Sequence, residues 1–472
     1  MACVSHTEIE HLATAIKYHS VSTSTVLQSY QSGNKRQSNK LIMMFSAYNF
    51  FADQSPWGLV CCLTLSAAHV VVGSVIFDLV HWAAHQSGRW SNPILRGLAR
   101  MHVAHHQYFD QRLNFNSSYS SRNLLYHLQL ELLCQVAGSL VSWQLARIVA
   151  LGMSPPANQD IILALLFFVI RSGIVAWDEG RDSNHISYNR LPKDPHSVMV
   201  GPEYHALHHI DPRGYFGSMI RLVDWWFGTA VTLRGRRITI TGASGAFGQA
   251  LLKELGQERG PSIKTVHYGS DWTYDNYHGL EATLQNTDIL VLAHGSKGPD
   301  AFKANCESAV AIIDTFMRVR KPPRSMLLPE VWYVGSEAEL HGAWTDDMRS
   351  YTDSKRAFVS FARTYYEDEK FIYRHIVPAA FSSAMGPAIV SANWAAKVAL
   401  WWIRRGARYV PVTYTGMALL NYFRFQYWVN PRKLSIPIKE SEQLSGAELS
   451  TPSFSGVDKI RCAINNSKSL LS

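Results

Sequence analysis

Along the chain, long stretches without charge give way midway to short apolar runs separated by polar turns. From Gln54 to Phe77 no charged residue occurs, and that length reaches the roughly 20 residues a membrane-spanning helix needs. The preceding apolar stretch, Leu41 to Ala52, is shorter and reads as a re-entrant or interfacial segment. Leu132 to Met153, broken by Arg147, and Ile161 to Trp177, broken by Arg171, flank Ser154, Pro155 and Pro156. They predict a helical hairpin that enters and leaves the membrane on one side. Burial inside a large soluble protein is the alternative for these stretches, and the interrupting arginines keep it open.

The pattern changes between Phe227 and Arg237, which sets a domain boundary near Arg234. Beyond it, β-rich runs such as Ile238 to Ile240, Asp288 to Ala293, Val331 to Val334 and Phe371 to Val377 alternate with helical stretches. That alternation predicts an α/β domain with a parallel sheet over 234–415. The segment 416–435 carries the aromatic run Met417 to Val429, readable either as an amphipathic helix on a membrane surface or as packing against the preceding domain. The Ser-rich ends, 1–40 and 436–472, read as disordered tails, with a targeting role as the alternative for the first.

Composition strengthens the membrane reading. Hydrophobic residues make up 47% and charged residues 17% of 472, against about 25% charged in an average soluble domain. The net charge of +9 is not gathered into basic blocks interleaved with aromatics, so nucleic acid is excluded as a partner and a membrane-facing basic surface is expected. Six cysteines form no CxxC pair, which implies a reducing compartment.

Eight of the twenty histidines fall into three tight groups: His81 and His85; His102, His105 and His106; His205, His208 and His209. Residues three and four apart share a helix face, so each group can aim its imidazoles at one point. Neutral imidazole suits Fe, Zn, Cu or Ni, and eight exceed what one zinc site takes, so two metal ions are expected. Asp78, Asp110 and Asp211 stand beside the groups, either as acceptors that orient the rings or as helix-end caps. His69, His127 and His196 read as structural or surface residues.

The order HxxxH, HxxHH, HxxHH around apolar hairpins resembles the membrane fatty acid hydroxylase and sterol desaturase superfamily over roughly Phe50 to Thr229. The likeness extends to Pro202-Glu-Tyr-His-Ala-Leu-His-His and Asp224-Trp-Trp-Phe-Gly-Thr. It implies an α-helical, membrane-embedded histidine-box domain over 41–229 in which two non-haem irons activate dioxygen and attack an unreactive C–H bond of a lipid. It also implies a further ligand before the third box, for which His185 is the candidate.

Gly242, Ser244, Gly245, Phe247 and Gly248 lie in a turn between an apolar strand and a helix-like stretch, the place where backbone N–H groups approach a pyrophosphate. The wording TGxxxGxG resembles the short-chain dehydrogenase family and implies a Rossmann-type fold. Further matches follow in order: His294 and Gly295, Asn305, Ser336, then Tyr351 and Lys355 in YxxxK. The resemblance implies that Tyr351 is the general acid or base, that Lys355 lowers its pKa, that Ser336 holds the substrate oxygen and that Asn305 keeps a relay water. The stretch Val266-His-Tyr-Gly-Ser-Asp271 puts no carboxylate immediately at the end of the second strand, which favours NADP over NAD.

Both resemblances together resemble sterol desaturase/short-chain dehydrogenase fusions: integral membrane lipid oxidoreductases with both centres on the cytosolic or stromal side. A hydride carries two electrons and irons accept them singly. Without a flavin, an iron–sulfur motif or a fused cytochrome, a separate donor, ferredoxin or cytochrome b5, is expected. Two other readings remain: a wax-type aldehyde lyase, against which the intact Ser336, Tyr351 and Lys355 speak, and a non-enzymatic lipid-binding scaffold that senses nicotinamide redox state.

Overall fold

The computed structural model describes residues 56–86, 92–149, 158–258, 260–321 and 326–432. Both tails, the stretch from Leu41 to Ala52 and the turn at Ser154, Pro155 and Pro156 lie outside the described residues.

The N-terminal half is helical. Helix α1 (Pro56–Gln86) continues well past Phe77, so that its final turns carry His81 and His85. Helix α2 (Pro93–Tyr108) carries His102, His105 and His106. The first arm of the hairpin begins earlier than the apolar run suggests. It starts at Ser117, passes through a π-helical segment, Asn123–Leu128, and becomes α3 (Gln129–Val149), with α4 (Gln159–Trp177) as the returning arm. Pro56–Gln86, Ser117–Val149 and Gln159–Trp177 are each long and apolar enough to cross a membrane, and the protein covers only 17–33% of their most apolar windows.

Helices α1 and α3 cross closely. A Cβ on Gly73 would stand 2.5 Å from the Gln135 carbonyl oxygen, and one on Gly138 would stand 2.8 Å from Ile76 Cγ1, the small-residue contact typical of helices in lipid. The interrupting arginines are both engaged. Arg171 pairs with Glu131 at 2.6 Å and Asp182 at 3.1 Å, while Arg147 donates to Asn158 at 2.8 Å. Helices α5 (Pro202–Ile210) and α6 (Leu222–Phe227) complete this half.

The second half begins with β1 (Arg237–Thr241). Then follow α7 (Ala246–Gly256), β2 (Ser262–Val266), α8 (His278–Leu284), β3 (Ile289–Leu292), α9 (Ser308–Val319), β4 (Glu330–Val334), α10 (Arg349–Glu367), β5 (Ile372–Pro378), α11 (Ala392–Arg404), β6 (Tyr409–Val412) and α12 (Met417–Tyr427). The six strands are all parallel, in the order β2-β1-β3-β4-β5-β6. Strands β3 and β4 are buried throughout, as a parallel sheet covered on both faces requires. Helices α7 and α11 cover one face and α9 and α10 the other. This is a Rossmann-type doubly wound domain, whose strand order reverses between β1 and β3 and opens a crevice there.

Helix α12 turns Ala418, Asn421 and Phe425 inward, where Ala418 and Phe425 join the core beside α10. The two halves meet where Lys193 donates to the Tyr366 and Asp368 carbonyls at 2.9 and 2.5 Å. The Arg405 guanidinium, lying 3.8 Å over Trp401, also donates to the Trp226 carbonyl at 3.2 Å.

Candidate functional site

Helices α1, α2 and α5 and the loop carrying His185 bring nine histidines into two adjoining groups. His81, His85, His102, His106 and His208 form one; His105, His185, His205 and His209 form the other, with the possible ligand atoms of each group within 4.8 Å of one another. In the first, Nε2 atoms approach at 3.0 Å (His81–His208), 2.9 Å (His102–His106) and 3.2 Å (His106–His208). In the second the approaches are 3.2 Å (His105–His185), 3.0 Å (His185–His205) and 3.1 Å (His105–His209). Burial holds His102, His105, His106, His208 and His209 well below the ordinary imidazole range, and His205 at about 3. These rings are neutral at pH 7. Two nitrogens each about 2.1 Å from one metal, at right angles, stand about 3 Å apart, so the donor set fits metal ions.

What turns each ring is the other nitrogen. Nδ1 of His81 donates to the Phe216 carbonyl at 3.1 Å and that of His208 to the Gly214 carbonyl at 2.8 Å. Nδ1 of His185 bonds Asp182 at 2.5 Å, and that of His105 bonds Asn123 Oδ1 at 3.2 Å. With the proton fixed on Nδ1, the lone pair on Nε2 faces the group. Burial alone would raise the Asp182 carboxyl, yet His185 and Arg171 hold it below its usual range.

The carboxylates expected to do this work do other things. Asp78 accepts from the Ser218 amide, and Asp110 closes a turn with the amides of Arg112 and Asn114. Asp211 is hydrogen-bonded to Thr232, and burial raises its carboxyl. None of the three meets an imidazole. The carboxylate that matters is Asp224, fully buried. It accepts from the amides of Phe216 and Gly217 at 2.8 Å each, from Tyr204 Oη at 2.9 Å and from Thr229 Oγ1 at 2.5 Å. It thereby fixes the loop whose carbonyls orient His81 and His208.

His127, expected to be structural, stands at the group. The π-helical segment turns it and Asn123 inward, so that its ring stacks on His105 at 4.0 Å and its Nδ1 lies 3.3 Å from that of His102. His69 pairs with Asp160 at 3.3 Å inside the bundle, away from both groups.

In the second half, the glycine turn, Ser336, Tyr351 and Lys355 line one cavity of about 1290 Å³, together with Gly242, Ser244, Gly245, Phe247, His294, Gly295 and Asn305. That exceeds the roughly 300–1,000 Å³ of most ligand pockets and leaves room for a dinucleotide and a second ligand. Gly242 has φ +70°, and a Cβ there would stand 2.4 Å from the His294 amide nitrogen. Only glycine fits this strand-end turn.

His294 occupies both ring nitrogens, with Thr241 Oγ1 at 2.6 Å and Ser308 Oγ at 2.9 Å. Burial, with the nearby Lys355 charge, keeps it neutral with a pKa of about 3. It braces the turn against α9.

Asn305, on a π-helical turn (Lys303–Glu307), is held by Ser296 and Ser354. Its backbone carbonyl accepts from Tyr333 Oη at 2.7 Å, and that oxygen accepts from Lys355 Nζ at 3.3 Å. Lys355 also donates to the Val334 carbonyl at 2.7 Å.

The YxxxK resemblance implies that Lys355 lowers the pKa of the Tyr351 phenol. The two share a face of α10, but the sheet's acceptors draw Nζ to 5.9 Å from the Tyr351 ring centre. Burial instead raises the Tyr351 phenol, opposed by its hydrogen bond with Ser336. Burial also lowers Lys355 to about 8. Beneath Ser336, Glu339 Oε1 accepts the Ser336 amide at 3.1 Å, and its Oε2 pairs with His375 at 2.9 Å with both side chains fully buried. No motif in the sequence marks Tyr333, Glu339 or His375.

No family model matches the chain. Over 407 residues it is 28% identical to a monoglucosyldiacylglycerol epimerase from Synechocystis, covering 78% of this chain and 96% of that protein. The match is longer than either half alone. Among solved structures, the chain is similar to a Burkholderia cenocepacia short-chain dehydrogenase in complex with NADP (18% identity, 42% of this chain, 95% of that one, TM-score 0.33). A Sphingobium yanoikuyae short-chain dehydrogenase in complex with NADPH gives 11% identity, 43% and 100% coverage, and a TM-score of 0.34. The Rossmann-type fold of the C-terminal half stands on its own strand order and parallel register.

Proposed function

We propose that the chain is a membrane-bound lipid oxidoreductase whose C-terminal half oxidises a secondary carbinol of a lipid headgroup and re-reduces it with NADP or NAD. The reading rests on the meeting of Tyr351, Ser336 and Lys355 in a cavity that the glycine turn also lines. A bound nicotinamide supplies the hydride acceptor and donor. Ser336 holds the carbinol oxygen and Tyr351 takes its proton as the C–H bond is broken and the C=O bond forms. Lys355, cationic below about pH 8, favours the resulting phenolate.

Return of the hydride to the opposite face of the ketone inverts the carbon with no net redox change. That is epimerisation, and the epimerase likeness makes a hexosyl diacylglycerol the favoured substrate class. Asp271 stands five residues beyond the end of β2 and accepts the His267 amide at 2.7 Å, so no carboxylate directly follows the strand, which supports NADP.

Nine imidazoles favour a second activity. Two non-haem irons, one per group, with His185 as the ninth ligand, would supply dioxygen-dependent hydroxylation or desaturation of a lipid, fed by a separate ferredoxin or cytochrome b5. Both centres then lie on the cytosolic or stromal side of the membrane.

The test uses the full chain in lipid nanodiscs containing glucosyl diacylglycerol. Inversion of a ring carbinol is expected only with NAD(P). Tyr351→Phe is expected to lower it about 10³-fold while cofactor titration is unchanged; turnover surviving in that variant sinks the assignment. The same preparation is expected to hold iron, and its absence alongside full carbinol turnover would refute the iron reading.

A further inference from the structure

Opposite its buried face, α12 presents Leu419, Leu420, Phe423 and Tyr427, followed by Trp428; Leu420 is 60%, Phe423 52%, Tyr427 71% and Trp428 72% exposed. The only charged residue of the helix, Arg424, is turned inward to the Glu339 carbonyl at 3.0 Å. The outer face is therefore wholly apolar or aromatic, with a tyrosine and a tryptophan at one end.

The helix connects two places already described. At its N-terminal end Met417, with Tyr414 and Thr415 just before it, lines the dehydrogenase cavity. Toward its C-terminal end Phe425 packs edge-on against Tyr366 at 5.4 Å, and the Tyr366 carbonyl is the one that Lys193 of the membrane half grips. The helix that carries the apolar strip thus reaches, through Phe425 on its buried side and Met417 at its start, from the seam with the membrane half to the cavity.

We propose that the outer face of α12 rests in the lipid headgroup layer and presents a membrane-resident lipid, headgroup first, to the dehydrogenase cavity. Tyr and Trp with apolar bodies and polar tips suit that depth. The helix meets a half with three helices long and apolar enough to cross a membrane, and a bilayer around those helices would lie near it. A net charge of +9 is drawn to an anionic leaflet but opposes a second copy of the chain. Presentation of the lipid rests on the carbinol chemistry proposed above; the membrane contact does not.

The experiment uses the full chain in nanodiscs of phosphatidylcholine and phosphatidylglycerol, with Cys3, Cys61 and Cys462 replaced by Ser and a fluorescent label on Leu420→Cys. Quenching by spin-labelled lipid, and not by aqueous iodide, is the expected result. Quenching by iodide alone overturns the proposal. So does shielding from both quenchers with Leu420→Glu converting a dimer to a monomer, which would assign the face to a second copy.

In a second arm, Leu420→Glu combined with Phe423→Glu is expected to lower kcat/KM for bilayer-borne glycolipid about ten-fold, with a short-chain soluble analogue turned over as before. Equal loss on both substrates would overturn the presentation role. Lipid quenching without turnover of any lipid by the parent chain would uphold the contact and refute the carbinol chemistry instead.

Discussion

Lys355 sits in a low-dielectric pocket, and its pKa of about 8 separates activity from stability along the pH axis. Carbonyl reduction needs the ammonium, so kcat/KM is expected to be flat below about pH 8 and to fall above it. The stability term has the opposite sign. Below pH 8 the lysine is protonated both folded and unfolded, and the folded state bears the full cost of burying the charge. Between about pH 8 and the ordinary lysine value of about 10.4, only the unfolded chain still binds the proton, so this group's contribution to stability rises with pH. Tyr333→Phe removes an oxygen that accepts from Lys355 and is expected to move the falling limb to lower pH. A limb that stays in place would make Tyr333 a packing residue only. The YxxxK spacing and the glycine turn announced Tyr351, Lys355 and Gly242 in the sequence, because each is fixed by local geometry. Tyr333 acts through the register of β4 beside α10, which no local pattern encodes.

The loop from Gly214 to Gly217 orients two rings of the first histidine group, and Asp224 holds it through the amides of Phe216 and Gly217 while also accepting from Tyr204 and Thr229. Asp224→Asn keeps the shape and removes the charge that those donors share. Loss of charged acceptance at a buried site costs on the order of 1–3 kcal/mol, and displaced orienting partners typically cost 10–100-fold in metal affinity. Iron retained through dialysis is expected to fall by about ten-fold or more in this variant, while dehydrogenase turnover holds. Retention at the level of the parent protein would separate the loop from the metal. The sequence could place the histidines on shared helix faces, and it offered Asp78, Asp110 and Asp211 either as their partners or as helix-end caps. The partners of His81 and His208 are backbone carbonyls, which every residue possesses and no motif marks, and those of His185 and His105 are the side chains of Asp182 and Asn123. Helix limits failed for a related reason. The polar histidines that end α1 hide its last turns from an apolar-run criterion, and the π-helical segment before α3 is read from hydrogen bonding rather than from hydropathy.

On the proposed reading, the two centres belong to one chain and work without a shared electron path. Hydride transfer at the nicotinamide moves a pair of electrons and returns it in the same catalytic cycle when the reaction is an epimerisation. Iron needs single electrons from outside. The halves touch through Lys193 and the Tyr366 and Asp368 carbonyls and through Arg405 and Trp226, none of which is a titrating or redox group of either site. Sites without shared partners behave additively. Removing iron from the nanodisc-bound protein with a chelator is therefore expected to leave NAD(P)-dependent carbinol turnover within about two-fold, and Tyr351→Phe is expected to leave the iron content unchanged. If chelation abolished carbinol turnover while the secondary structure persisted, the dehydrogenase half would require a product of the histidine half, and the two reactions would form an obligatory sequence on one lipid rather than independent activities held at one membrane surface.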